Sequence, residues 1–302
     1  MQTGHFPRHI SVLILAGLAC SFAGNHIAAR IAFDDGAGLL LAILCRSGVT
    51  MLTLAALVVW RRDSLRLGPG IWGWQCLAGF LVGIQSFCIY SAVARIPVGL
   101  ALLVVNLSPV LLALLTWILG GPAPTRRAGL LMGFIFLGLL IVLDIPTILA
   151  QRGSMDARWL EGVLFSLSAA VVFAVAMWIS ENRLSHLPGT VRSMLTMALV
   201  FLGASIAGVI GVVPGGLSLP AAVEGWIALA FLVLLYGAAF SALFICMPRL
   251  DITRNAPVMN VEPVAGLLLG WLILDQYLGP LQLVGALIVI AGIVLLAYRR
   301  QG

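Results

Sequence analysis

Runs of about twenty apolar residues follow one another along this chain, with only short polar or Gly/Pro breaks between them, and they decide its solvent. They cover 10–32, 38–60, 70–94, 97–120, 127–149, 159–180, 190–213, 222–247, 252–274 and 279–298. A helix rising roughly 1.5 Å per residue crosses the hydrocarbon of a bilayer in about 20 residues. Each run is therefore predicted to be a transmembrane helix, giving an all-α membrane protein of about ten spans. Composition agrees: 62% of the 302 residues are hydrophobic and 9% charged, where soluble domains carry about a quarter charged residues. The first run follows Arg8 and His9 as a signal peptide would, but it is too long for one. Asn25, His26 and Arg30 interrupt its end, so it is expected to remain as the first span.

All 17 basic residues are arginine. They stand singly or in pairs between apolar runs, leaving no basic face for nucleic acid. With the N-terminus in the cytoplasm, the inner side receives Arg8, Arg61, Arg62, Arg66, Arg126, Arg127, Arg183, Arg192, Arg249, Arg254, Arg299 and Arg300. The outer side receives Arg30, Arg95, Arg152 and Arg158, and Arg46 lies within a span. That bias predicts cytoplasmic N- and C-termini. The lysine-free, arginine- and alanine-rich composition suits a GC-rich bacterial genome and hence a bacterial inner membrane. The connections are too short for a soluble domain; the longest, around Gln151 to Arg158, is read as an interfacial turn.

The chain also repeats itself. Val104-x-Asn106-x2-Pro109-Val110-x3-Leu114-Leu115-x-Trp117 in the fourth span recurs as Val258-x-Asn260-x2-Pro263-Val264-x3-Leu268-Leu269-x-Trp271 in the ninth. Gly73-Trp74-x2-Leu77-Ala78 in the third answers Gly225-Trp226-x2-Leu229-Ala230 in the eighth. Arg46-Ser47-x2-Thr50-Met51 in the second answers Arg192-Ser193-x2-Thr196-Met197 in the seventh. Leucine matches are cheap in such a composition; Asn, Pro, Trp and Arg matches are not. Two five-span halves follow, 1–150 and 151–302. Five being odd, the second half is inverted across the membrane, an arrangement typical of transporters with a central midplane site.

These residues resemble the drug/metabolite transporter superfamily, specifically its EamA-type members. The local signatures are Asn106 to Trp117, Val261-Glu262-Pro263-Val264, Leu274-Asp275, and Gly285-Ala286-Leu287-Ile288 with Gly292. Where the family commonly has Gly-Glu, this chain has Gly120-Gly121 in one half and Leu274-Asp275 in the other. The resemblance implies ten helices around a central cavity, with the fifth and tenth spans as outer struts. It also implies export of amino acids or related metabolites. Among bacterial members the chain looks most like the YddG-type exporters of aromatic amino acids.

Ionisable groups at membrane depth mark candidate function. Glu262, mid-span beside Pro263, suits a substrate ammonium or a proton; the competing reading is a hydrogen bond to backbone freed by the proline. Arg46 suits a carboxylate, against snorkelling or an ion pair, and the second reading is favoured for Arg192. Asn106 and Asn260 each precede a proline by three residues. Pro109 and Pro263 free nearby carbonyls, so these sites suit a polar wall, hinges, or both. Gln85, Ser86 and Tyr90 in the third span have Tyr236, Gly237 and Ser241 as repeat counterparts. Asn25 and Trp178 complete the polar and aromatic set expected around a zwitterionic, often aromatic, substrate. Trp72, Trp74, Trp159 and Trp226 are read as an interfacial belt. Gly79-x3-Gly83, Gly129-x3-Gly133 and Gly266-x3-Gly270 read as close helix packing, leaving a monomer sufficient.

No cofactor or metal is expected. Cys20, Cys45, Cys76, Cys88 and Cys246 form no CxxC pair, and there is no HExxH or Walker motif. An enzyme would need a nucleophile–base pair, which Gly203-Ala204-Ser205-Ile206-Ala207 only grazes in the wrong context. A scaffold would need surface that the short loops lack. The serious alternative is transport of another class: cationic drugs, carboxylates or nucleotide sugars.

Overall fold

In hydrocarbon a backbone N–H or C=O has no water to turn to, so the chain satisfies its hydrogen bonds inside helices. The computed structural model describes residues 6–65, 68, 70–143, 157–213, 216–246, 250 and 256–298; among them there is no strand. The helices are α1 (Arg8–Asp34), α2 (Leu39–Arg61), α3 (Ile71–Val93), α4 (Val98–Val105), α5 (Ser108–Ile118), α6 (Arg126–Val142), α7 (Ala157–Asn182), α8 (Gly189–Ile210), α9 (Val223–Cys246), α10 (Val261–Leu274) and α11 (Pro280–Tyr298). A 3₁₀ turn, Ala256–Asn260, leads into α10. Among the described residues, seven stretches are long and apolar enough to cross a bilayer by themselves, α4 and α5 counting as one.

The expected spans are present with two refinements: the fourth is two helices, α4 and α5, broken at Asn106-Leu107, and the ninth is a 3₁₀ turn running into α10. The 150/151 boundary, the expected interfacial turn over 151–156, the ends of the spans expected at 127–149 and 252–274, and Arg66, Arg152, Arg249, Arg254, Arg299 and Arg300 lie outside the described residues.

Packing obeys the repeat. The spans of the first half are α1, α2, α3, α4–α5 and α6; those of the second are α7, α8, α9, the 3₁₀ turn with α10, and α11. Exchanging the halves turns the α1–α9 contact into α3–α7, and α3–α8 into α2–α9. It turns α1–α10 into the contact of α4 and α5 with α7. The pairs α2–α8, α4–α10 and α6–α11 map onto themselves. All of these contacts are present, as a two-fold relation between five-span halves requires.

Consecutive spans alternate direction. The near end of the bundle holds the start of α1; the far end holds the α1–α2 turn. At the far end the halves grip one another. Ala222 N, at the start of α9, donates to Asp35 Oδ2 at 2.9 Å and Gly38 N donates to Ser218 O at 2.9 Å. Val98 N, opening α4, donates to Gln276 Oε1 at 2.9 Å. Each side chain supplies an acceptor to a helix N-terminus whose first N–H groups have no partner inside the helix.

Three of the arginines that depart from the charge bias gather at the C-terminal end of α3. Arg30 Nη1 donates to Val93 O at 2.9 Å, Arg95 Nη1 to Ser91 O at 2.9 Å, and Arg158 Nη2 to Ala94 O at 3.0 Å. Cations there complement the negative end of the helix dipole and its unpaired carbonyls. Their position answers to a helix end, which is why topology counting finds them on the wrong side.

Small residues set how closely the struts α6 and α11 approach. A Cβ on Gly285 would lie 2.5 Å from Val142 N and 2.8 Å from Gly138 O, both backbone atoms. By contrast Gly129 and Gly133, expected to mark close packing, meet nothing within 4 Å and are exposed. The stripe that packs α6 is on the other face, at Gly138. Gly285→Val is therefore expected to destabilise the protein by about 1–3 kcal/mol through overpacking, and Gly133→Val to leave it near wild type. Reversible unfolding in lipid micelles compares the two; equal losses would show that α6 and α11 are not in contact.

Candidate functional site

Where α1, α2, α3 and α9 face one another, toward the far end, polar and aromatic side chains replace the aliphatic core. Arg46, on the second turn of α2, is 3% exposed. Its Nη2 donates to Ser86 Oγ of α3 at 2.6 Å. Its guanidinium carbon lies 4.8 Å from the Tyr90 ring centroid and 4.3 Å from that of Tyr236. Tyr90 Oη donates to Asn25 Oδ1 of α1 at 3.2 Å, and the Asn25 amide donates to Phe22 O at 3.4 Å. Aromatic edges close the shell: His26 and Phe33 stand edge-on to Tyr90, and Phe22 edge-on to Tyr236, whose ring is tilted against Phe240.

The charge on Arg46 is incompletely answered. Its Nε is buried with no hydrogen-bond partner. Among the described residues the ion pairs are Arg30–Asp34 at 2.8 Å and Arg95–Glu161 at 2.9 Å, so no carboxylate balances Arg46. Two π faces and one hydroxyl stabilise a guanidinium far less than a carboxylate fork would. The expected alternatives of snorkelling and of a helix-tying ion pair do not describe it. Thr50, one turn further along α2, also has a buried hydroxyl without a partner, as do His26 Nδ1 and Ser241 Oγ nearby in sequence on α1 and α9.

Glu262, on the first turn of α10, is half-buried and makes no hydrogen bond or ion pair among the described residues. Its carboxylate is within electrostatic reach of the Tyr236 phenol, as is Arg46. Tyr236 thus packs on the Arg46 guanidinium and lies within electrostatic reach of the Glu262 carboxyl.

Around this cluster the two broken spans diverge. Asn106 and Asn260 sit at the breaks with nearly identical backbone angles, φ −67° and ψ 1° against φ −67° and ψ −1°. At the far end α4 packs on α10, with the Gly99 and Gly266 backbones set against Leu267 and Leu102. Beyond the breaks α5 lies along α7, while the 3₁₀ turn lies against α1 and α11. The two arms part toward the near end, and Asn106, Asn260 and Glu262 are only half-buried where they do so.

The structure thus brings Asn25, Arg46, Ser86, Tyr90 and Tyr236 into one cluster, with Glu262 in reach. Gln85 is half-buried beside Ser86 in the chain. Trp178 lies apart, toward the near end of α7, with Ala78, Ile179, Leu184 and Trp74. Arg192 is likewise elsewhere: its Nη1 donates to Ser180 O at 3.2 Å and Leu184 O at 3.3 Å, tying the end of α7. Sequence reasoning missed His26, Thr50, Phe22, Phe33 and Phe240. For α1 a signal existed, since Phe22, Asn25, His26 and Phe33 fall at helical spacing on one face.

The profile of the EamA-like transporter family matches residues 9–144 and again 160–298, the two halves found here by packing. A solved structure described only as the crystal structure of a protein is 20% identical, covers 98% of this chain and 99% of its own, and superposes with a TM-score of 0.62, which establishes shared fold. With two copies of the family profile spanning nearly its whole length, this multi-pass membrane chain belongs to the EamA-like transporter family.

Proposed function

We propose that the protein carries zwitterionic amino acids, aromatic ones among them, across the bacterial inner membrane, in the manner of the YddG-type exporters it resembles. The observation that carries this reading is the buried guanidinium of Arg46, which has an idle Nε and no carboxylate partner among the described residues. A substrate carboxylate placed on Arg46 would complete it. Glu262, with no partner among the described residues, suits the ammonium. The Tyr90, Tyr236 and Phe240 rings offer faces and edges for an aromatic side chain. A nucleotide sugar would need several arginines for its phosphates, and only Arg46 lies in the cluster.

The positive-inside bias of the arginines supports a near end that faces the cytoplasm. The parting of α5 from the 3₁₀ turn then describes a site open to the cytoplasm and closed outside, suited to loading for export. Asn106 and Asn260, with Pro109 and Pro263, act as hinges about which the arms swing as the halves exchange conformations. Gln85 and Ser241 extend the polar wall. Trp178 takes part at the cytoplasmic mouth, where substrate enters. One copy of the chain contains the complete site.

Reconstituted protein should move labelled phenylalanine into liposomes, with threonine slower, and leave a nucleotide sugar and a cationic dye behind. Glu262→Gln should slow phenylalanine at least roughly tenfold, the loss of about one charge-assisted hydrogen bond. Movement of the dye or the sugar alone would keep the fold and discard the amino-acid reading.

A further inference from the structure

The two prolines of the repeat leave equivalent gaps in the backbone. A proline has no N–H for the carbonyl four residues earlier, so Pro109 deprives Val105 and Pro263 deprives Met259. In the first half the residue before the proline closes the gap: Ser108 Oγ donates to Val105 O at 2.5 Å. In the second half that residue is Glu262. Among the described residues it makes no hydrogen bond, and no side chain of theirs donates to Met259 O. The break at Asn106, between two α-helices, thus gains a hydroxyl donor beside the Asn106 amide that donates to Leu102 O, while the break at Asn260, between a 3₁₀ turn and an α-helix, has no side-chain donor among the described residues.

The chemistry of the two side chains differs in one respect that matters here. A serine hydroxyl always has a proton to donate. A carboxylate has none, and a carboxylic acid has one. We infer that Glu262 is the binding site of a coupling proton, and that the protonated carboxyl donates to Met259 O and stiffens the break in the ninth span, as Ser108 permanently does in the fourth. Protonation then changes the angle between the 3₁₀ turn and α10, hence the opening between that turn and α5. One half of the transporter has a fixed hinge and the other a proton-dependent hinge, so a pH gradient biases a conformational change that the pseudo-symmetry would otherwise leave balanced.

Among the described residues no permanent counter-ion faces Glu262; on α1 the Arg8 side chain lies outside them and Cys20 is exposed. α4 and the 3₁₀ turn carry no titratable residue, and α11 carries only Tyr298. On α1, Arg30 and Asp34 pair with each other, His9 is exposed at the near end, and His26 stands against Tyr90. From α9 the facing group is Tyr236, with Arg46 behind it.

This inference does not depend on which substrate is carried, and its test uses none. The full-length protein, its native cysteines replaced, carries spin labels at Leu119 and Ile245, both exposed at the near end of the bundle. Distances are measured in lipid nanodiscs from roughly pH 4 to pH 9, a range that brackets carboxyl titration. The wild-type distribution should shift between two populations over that range. Glu262→Ser and Glu262→Gln, whose hydroxyl and amide can donate at any pH, should hold the acid-side population throughout. Glu262→Ala should hold the alkaline-side population. A wild-type distribution that ignores pH, or Ser and Gln variants that titrate like wild type, would overturn the inference. Failure of phenylalanine transport, with these shifts intact, would count only against the amino-acid reading.

Discussion

Arg46→Met is expected to abolish amino-acid transport while leaving the protein as stable as wild type, or more so. The two effects have separate causes. Losing one partner of a desolvated, hydrogen-bonded charge pair costs about 2–5 kcal/mol of binding, which is at least roughly thirtyfold in apparent affinity. For folding the sign reverses. Arg46 is a buried cation with an idle Nε and no carboxylate beside it among the described residues, and apolar side chains of similar volume that replace buried charges are often neutral or stabilising. Flux of phenylalanine and the thermal unfolding midpoint, measured on the same preparation, test both. The substrate pair phenylalanine and phenethylamine sharpens the result: the variant should lose its preference for the compound with a carboxylate. A fall in the unfolding midpoint alongside transport would make Arg46 structural.

Gly99→Val is expected to hold the far end of the transporter apart and stop turnover. There is no room for a side chain at that position: a Cβ would lie 2.7 Å from Leu267 Cγ and 2.8 Å from its Cα, and the Cα cannot move out of the way by rotating. Overpacking of about 1–3 kcal/mol acts only where α4 and α10 touch. It therefore shifts the balance between far-end-closed and far-end-open forms roughly tenfold to hundredfold. A single cysteine near the far-end turn should react faster with a membrane-impermeant thiol reagent in the variant, as flux falls. Gly266→Ala, whose methyl would crowd the tip of Leu102 and lie in ordinary contact with the Gly99 Cα, should show a weaker version of the same change. Unaltered reactivity with unaltered flux would mean that this crossing does not close the site.

The fold was legible because a bilayer permits so few answers. Length and apolarity located the spans within a few residues, and Asn106-x2-Pro109 with Asn260-x2-Pro263 announced both the repeat and the two breaks. The site was only partly legible. A polar residue on an apolar helix shows up by contrast, as Asn25, Arg46, Tyr90 and Glu262 did. Which direction it points depends on helix rotation, and uniformly apolar helices such as α3 and α9 show no preferred face in their sequence. That is why Trp178 was grouped with residues from which the structure separates it, and why Arg46 and Arg192, matched by sequence, have unlike surroundings. His26 reads in the sequence as an interruption near the end of the first run, whereas α1 runs on to Asp34 and leaves it buried inside. One glycine stripe misleads for the same reason: Gly129 and Gly133 have the spacing of a packing face but lie on the exposed side of α6, whereas Gly79 and Gly266 do pack closely.

The packing of the halves bears on how such a chain is made. The principal partner of α1 is α9 and that of α3 is α7, while contacts among spans of the same half are slight. A ribosome working from the N-terminus therefore delivers α1, α2 and α3 into the membrane well before the helices they must embrace exist. During that interval Arg46 has Ser86 and Tyr90 but not Tyr236, and its charge lies in a half-built assembly open to lipid. The last spans to be synthesised are what convert a loose row of helices into a folded protein, so truncations near the C-terminus should be read as assembly defects before they are read as transport defects.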